Sequence, residues 1–311
     1  MFHFLRLIRP LNLLLIALTQ FLVRYCLILP AFQTEKNVTG EFPAHLDKWT
    51  FCLLVFSTVL IAAGGNVIND VYDRYIDEKN RPGTNPIGSR ISPELARKLF
   101  MTLSVFGCLT GFLVALRIGR PGLGLIQVFC AYSLYMYASQ YKRKFIIGNI
   151  LIAFLSALVP LTVALYEPEF YRNIIYVLVY ALFAFLISLV REILKDAEDL
   201  EGDRQGGCDS IPVRYGLPTT RIIATGLILV TGGVIAYLLY HFFNDNTVVS
   251  LFKLEGIFLI PLAGLLYLGS GLGLTLYRRL IHAPAVRLPR NEVLWFASAI
   301  LAGGIVGPVL L

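Results

Sequence analysis

Apolar residues run along this chain in long uncharged blocks separated by short polar segments. The blocks include Trp49 to Asn69, Pro121 to Tyr141, Phe145 to Tyr166, Asn173 to Val190, Ile222 to Phe243, Gly256 to Tyr277 and Val293 to Leu311. Each approaches or exceeds the ~20 residues that a helix needs to cross a bilayer. Two more complete a set of nine: Leu11 to Pro30, apolar apart from Asn12, Gln20 and Arg24, and the shorter, uncharged Leu99 to Leu116. The pattern predicts an all-α, polytopic membrane protein of nine transmembrane helices, forming a single bundle around a central cavity. Arg6 and Arg9 precede the first block, which runs too long for a signal-peptide core and reads as a retained span.

The distribution of Lys and Arg tests this count independently. Taking the connections alternately, one side receives 20 of the 27 basic residues. They are Arg6 and Arg9; Arg74, Lys79, Arg81, Arg90, Arg97 and Lys98; Lys142 to Lys144; Arg191, Lys195, Arg204, Arg214 and Arg221; and Arg278, Arg279, Arg287 and Arg290. The positive-inside rule then predicts a cytoplasmic N-terminus, an outside C-terminus and cytoplasmic acidic clusters; the expected location is the inner membrane of a bacterial or archaeal cell. The chain reads as one domain over residues 1–311, with its polar chemistry in the cytoplasmic connections.

Composition agrees. Charged residues make up 15% of the chain against about 25% in soluble domains, and mean hydropathy is +0.70. The net charge of +7 lies on the inner side, facing anionic lipid. No basic stripe with interleaved aromatics points to nucleic acid, and nothing implies an obligate protein partner. The five cysteines contain no CxxC, and the four histidines have no ligand spacing, which argues against a zinc site.

Against this background two acidic clusters stand out. Asp70, Asp73 and Asp77 close the second span, and 126 residues later Asp196, Asp199 and Asp203 close the sixth with the same spacing. At 100° per residue, positions 0, 3 and 7 fall within roughly 60° of one another, so each trio is expected to form one carboxylate face on a helix. Such a face repels itself unless a cation sits on it, and at a helix C-terminus it also opposes the macrodipole. Asn69, Asp73 and Asp77 recur at i, i+4 and i+8, with Asp70 beside them and Asn66 one turn deeper. Oxygen donors in this pattern suit Mg²⁺, which keeps waters and bridges to substrate phosphates. In the second cluster Glu192 lies one turn before Asp196, while Lys195 and Arg204 are placed to meet diphosphate oxygens or carboxylates. Residues 66–77 and 192–203 thus read as pseudo-repeated acidic helix ends. Lys142, in the loop after span four, is a candidate to balance charge on a departing diphosphate, with Tyr137 five residues earlier as a hydrogen-bond donor.

Two metal-binding carboxylate faces in a lipid-embedded bundle suit a substrate with a diphosphate head and a hydrocarbon tail. Metal ions would weaken the allylic C–O bond, and a dry cavity would protect the carbocation until an acceptor attacks C1. A secondary transporter is the competing class, but all six acids lie at one end of their spans, and a transport path calls for acids mid-span.

The arrangement resembles the intramembrane aromatic and lipid prenyltransferases of the UbiA superfamily. Asn69, Asp73 and Asp77 match the family's N-x-x-x-D-x-x-x-D motif, and Asp70 matches an additional Asp often found there. Arg191, Glu192, Lys195, Asp196, Glu198, Asp199, Gly202 and Asp203 match the second motif, R-E-x-x-K-D-x-E-D-x-x-G-D. Tyr137 and Lys142 resemble the family's Tyr/Lys element, and Gly148-Asn149 its start to span five. The resemblance implies that Asn69, Asp73, Asp77, Asp199 and Asp203 hold Mg²⁺ ions bridging the diphosphate. It implies that Asp70 and Asp196 complete or tune the cluster and that Lys142 contacts the diphosphate. Where the family commonly has R-P-x-R-P, this chain has Arg81-Pro82-Gly83-Thr84-Asn85-Pro86, so Arg81 or Arg90 would supply the usual cation.

In motif form the nearest branch uses geranylgeranylglyceryl phosphate as acceptor. The resemblance therefore implies geranylgeranyl diphosphate as donor and a membrane lipid as acceptor, with Arg81, Arg204 or Arg214 near the acceptor phosphate. Aromatic quinone precursors and chlorophyll-type acceptors are the alternatives. A small aromatic carboxylate would call for an arginine in the cavity, for which Arg24 is the candidate; the other reading of Arg24 is a side chain snorkelling to the outer interface.

Overall fold

The computed structural model describes residues 2–30, 32, 40, 45–80, 82–169 and 174–244. Among them every regular element is a helix. The expected eighth and ninth spans, with Arg278 to Arg290, lie outside the described residues, as does Arg81.

A short helix α1 (Phe2–Ile8) turns at Arg9 into α2 (Pro10–Leu22), which continues through a π-helical turn at Val23–Ile28. There follow α3 (Lys48–Asn80), α4 (Pro93–Arg117), α5 (Gly124–Ser139), α6 (Ile147–Tyr166), α7 (Ile174–Glu198), the short α8 (Leu200–Gln205) and α9 (Ile211–Asn244). Six of these are long and apolar enough to cross a membrane. The expected fourth span is the 16-residue α5, led in by a tight 3₁₀ turn at Pro121–Leu123.

Local chemistry moves the boundaries outward from the apolar blocks. Helix α4 starts six residues before its uncharged stretch, because Ser92 caps it by accepting from the Leu95 N–H at 3.2 Å and Pro93 occupies the first turn. Helix α9 begins at Ile211 and is interrupted at Gly216, whose φ of 77° breaks the helical path. Helix α3 carries no breaker after Asn69 and runs on through the whole first acidic motif.

Packing groups α3 with α4 and α5, and α6 with α7 and α9, while α2 lies between α3 and α6. Each group thus contains one acid-bearing helix. Phe51, Leu54, Val55, Val114, Val163 and Tyr166 form the core at the end remote from the acids. Val67, Ile68, Ala96, Phe100 and Ala138 form it near the first motif. Large apolar side chains also face outward, with Leu229 70% and Leu113 62% exposed, which suits lipid and would be an aggregation surface in water.

Candidate active site at the joined acidic helix ends

The first motif keeps its helical register, so Asn69, Asp70 and Asp73 are buried on the inner face of α3 and Asp77 is half-buried. The N-terminal segment is tied onto this face. Asn66 Nδ2 donates to the Ile8 carbonyl at 2.9 Å, and Arg9 donates to Asp70 Oδ1 at 2.5 Å. Arg9 therefore belongs to the site rather than only to the membrane surface, a role hidden by the 61 residues between it and Asp70.

The second motif departs from the expected single helix face. Helix α7 ends at Glu198, Asp199 adopts φ −93° and ψ 9°, and α8 begins at Leu200. Asp196 and Asp203 thus sit on different helices, with Asp199 at the joint. A side chain from the other motif meets the chain at this joint. Asn80, the last residue of α3, accepts from the Gly202 N–H at 2.8 Å and donates to the Asp199 carbonyl at 3.2 Å. A Cβ on Gly202 would lie 2.5 Å from Asn80 Nδ2, so only glycine admits this approach. The two acidic helix ends are therefore in direct contact.

Lys142 lies between them. It donates to Asp73 Oδ2 at 2.5 Å, and Asn69 Nδ2 donates to the same oxygen at 2.6 Å. Burial works against the lysine's charge, but Asp73 in contact and Asp203 and Asp77 nearby hold its ammonium above the ordinary range. The loop bearing Lys142 is a tight corner: Ile146 adopts a left-handed φ of 56°, and a Cβ on Gly148 would fall 2.8 Å from the Tyr141 carbonyl. Gly148 thus lets the corner fold back on α6, and the next residue, Asn149, donates to Asp196 Oδ2 at 2.8 Å. Tyr137 OH reaches Glu192 Oε2 at 3.4 Å, so Tyr137 stands at the inner end of the second motif. Burial pushes Asp203 up to about 6, opposed by Lys142 and reinforced by Asp199.

As placed, no three acidic, His or Cys side chains among the described residues converge closely enough to hold a metal ion. The donor set nevertheless fits divalent cations. Against six aspartates and Glu192 stand Arg9 on Asp70, Lys142 on Asp73, Arg191 on Glu192 and the nearby Lys195, which leaves an excess of negative charge. In addition, Asn69 Oδ1 is buried without a hydrogen-bond partner, next to Asp73. Asn69, Asp73, Asp77, Asp199 and Asp203 would be the residues to hold such ions. Lys195 is near enough for its charge to bear on Asp203, whereas Arg204 points to the exposed side of α8.

The loop after the first motif carries its own solution. Asn85, standing where the resemblance led us to expect an arginine, donates to Asp77 Oδ2 and to the Asp70 carbonyl, each at 2.8 Å. Its Oδ1 accepts from the Ile87 N–H at 3.0 Å. A neutral amide organises this side of the site.

Arg24 neither snorkels nor lines the site. It is 2% exposed, pairs with Glu167 at 3.2 Å, donates to the Leu46 carbonyl and stacks over the Phe51 ring at 4.4 Å. Fifteen residues of helix after Arg9 place it roughly 22 Å from the acids. Sequence reading had no partner for it, because Glu167 comes from a distant connection.

Among the described residues, a bundle of helices long and apolar enough to cross a membrane brings its two acidic helix ends together beside a lysine. The chain belongs to the UbiA prenyltransferase family, whose model matches residues 38–279. It is 33% identical over 195 residues to the digeranylgeranylglyceryl phosphate synthase of Methanothermobacter thermautotrophicus, a match covering 62% of this chain and 64% of that protein. The fold is shared with a solved structure of digeranylgeranylglyceryl phosphate synthase at a TM-score of 0.58 and 25% identity, covering 99% of this chain and 98% of the other. It is also shared with a UbiA homologue from Archaeoglobus fulgidus bound to GPP and Mg²⁺, at a TM-score of 0.65 and 16% identity with the same coverage.

Proposed function

We propose that this protein transfers a geranylgeranyl group from geranylgeranyl diphosphate to the hydroxyl of geranylgeranylglyceryl phosphate or a similar polyprenyl glycerol phosphate, with Mg²⁺ as cofactor. The observation that carries the reading is that Lys142 sits on Asp73 with Asp77 and Asp203 near enough for their charges to act on it, where Asn80 joins the two acidic helix ends. One diphosphate would span this mouth. Bound Mg²⁺ would supply charge neutralisation of the leaving diphosphate. Lys142 would turn its ammonium from Asp73 to the diphosphate oxygens and hold them there. The apolar helices below would exclude water from C1 while the acceptor hydroxyl attacks it. The positive-inside asymmetry supports a cytoplasmic position for this mouth.

Two findings favour a lipid acceptor over a small aromatic carboxylate. The relatives bear the lipid-synthase name, and the arginine that would have received a carboxylate is committed to Glu167 at the far end. The test is to give purified protein radiolabelled geranylgeranyl diphosphate with a panel of glycerol-phosphate and aromatic acceptors. Transfer to the glycerol phosphate, abolished in Asp73→Ala and Asp199→Ala, is expected. Near-normal turnover by either variant would overturn the site, and an aromatic product would overturn the acceptor.

A further inference from the structure

Helix α8 begins without the side-chain cap its sequence offers. Asp199 stands at its N-cap, a position where aspartate ordinarily accepts from an N–H of the first turn, yet its carboxylate makes no such bond. The Gly202 N–H, which that bond would satisfy, is satisfied instead by Asn80 Oδ1 at 2.8 Å. Asn80 Nδ2 closes the bracket on the Asp199 carbonyl at 3.2 Å. One amide therefore grips both ends of the turn that carries Asp199. Below it, α8 is held a second time, since a Cβ on Gly206 would lie 3.0 Å from Ile76 Cγ1. Asn80 is itself three residues beyond Asp77 on the unbroken α3.

We propose that Asn80 is a positioning residue that caps α8 across the site. By taking over the cap, it leaves the Asp199 carboxylate out of local capping, and it sets the separation between Asp77 on one motif and Asp199 and Asp203 on the other. This inference rests on the metal-binding reading above. Its effect should appear in divalent-ion affinity before it appears in folding, because outer-shell contacts of this kind typically change metal affinity by about 10- to 100-fold.

The experiment measures Mn²⁺ binding by electron paramagnetic resonance on the full-length detergent-purified protein, alongside thermal unfolding. Asn80→Ala is expected to weaken Mn²⁺ about tenfold with little change in Tm. Gly202→Ala, which pushes the Asn80 side chain aside, is expected to do the same. The double variant should be no worse than either single one, because both remove one contact. Wild-type affinity in Asn80→Ala, or additive losses in the double variant, would overturn the proposal while leaving the metal site standing. Absence of Mn²⁺ binding by the wild type would overturn both. If Asn80→Ala does not fold, Gly202→Ala with unaltered Mn²⁺ affinity is the result that sinks the inference.

Discussion

Lys142 Nζ lies 2.5 Å from Asp73 Oδ2, so the cation nearest the centre of the site is supplied by the protein's own chain. The ammonium neutralises a carboxylate that the resemblance assigns to metal, so on the proposed reading lysine and divalent ion would compete for one oxygen. Replacing Lys142 with Met should therefore strengthen Mn²⁺ binding in the absence of substrate, read by electron paramagnetic resonance. The same variant should lose turnover by about 10²- to 10³-fold, since the charge aimed at the leaving group is gone. Weaker Mn²⁺ binding in Lys142→Met would show that the lysine assembles the carboxylates instead of competing at them.

Asn85 links the loop after the first motif to Asp77. Its replacement by Ala removes two donated hydrogen bonds, one of them to a carboxylate of the site. An approximately tenfold loss of kcat/KM at limiting Mg²⁺ is expected, with partial recovery at saturating Mg²⁺. Unchanged Mg²⁺ dependence would confine Asn85 to holding the loop.

On the proposed metal-binding reading, proton and metal would compete at Asp203, whose carboxyl burial raises from 3.8 to about 6. In the metal-free protein the folded state holds a proton there that the unfolded chain has already released. Stability from this group is therefore lost as pH rises between those two values. Metal binding has the opposite sense, because only the ionised carboxylate is a ligand. Mn²⁺ affinity should fall as pH drops through about 6 in the wild type, and this component should be missing in Asp203→Asn. A wild-type binding curve flat across that range would remove Asp203 from the ligand set.

The buried pair of Arg24 and Glu167 is predicted to serve stability alone. Either Arg24→Ala or Glu167→Gln leaves a charge or donor stranded in an apolar core, at a cost of about 3–5 kcal/mol. Arg24→Met combined with Glu167→Leu should recover much of that loss in thermal unfolding. Acceptor preference of the surviving enzyme should not move; a change in acceptor choice at unaltered Tm would return Arg24 to the active site.

The helices and the two acidic motifs were legible because each depends on residues close in sequence. Long uncharged runs must satisfy their backbone internally in lipid, so they form helices wherever they occur. Carboxylates at repeating offsets announce themselves without reference to any partner. What escaped was set by contacts between distant segments. Asn80, Asn85 and Glu167 carry no spacing signal, and the joint at Asp199 is met by an amide 119 residues away.

Residues close in sequence fix a membrane-embedded helical chain with two aspartate-rich helix ends and a one-sided distribution of Lys and Arg, since hydrophobic length and charge bias act locally. That Asn80 bonds to the second motif at Asp199 and Gly202, that Lys142 occupies Asp73 and that Arg24 is spent on Glu167 came only with the packed fold. Hydrogen bonds and ion pairs act over about 3 Å, and which groups come that close is known only once the helices have packed.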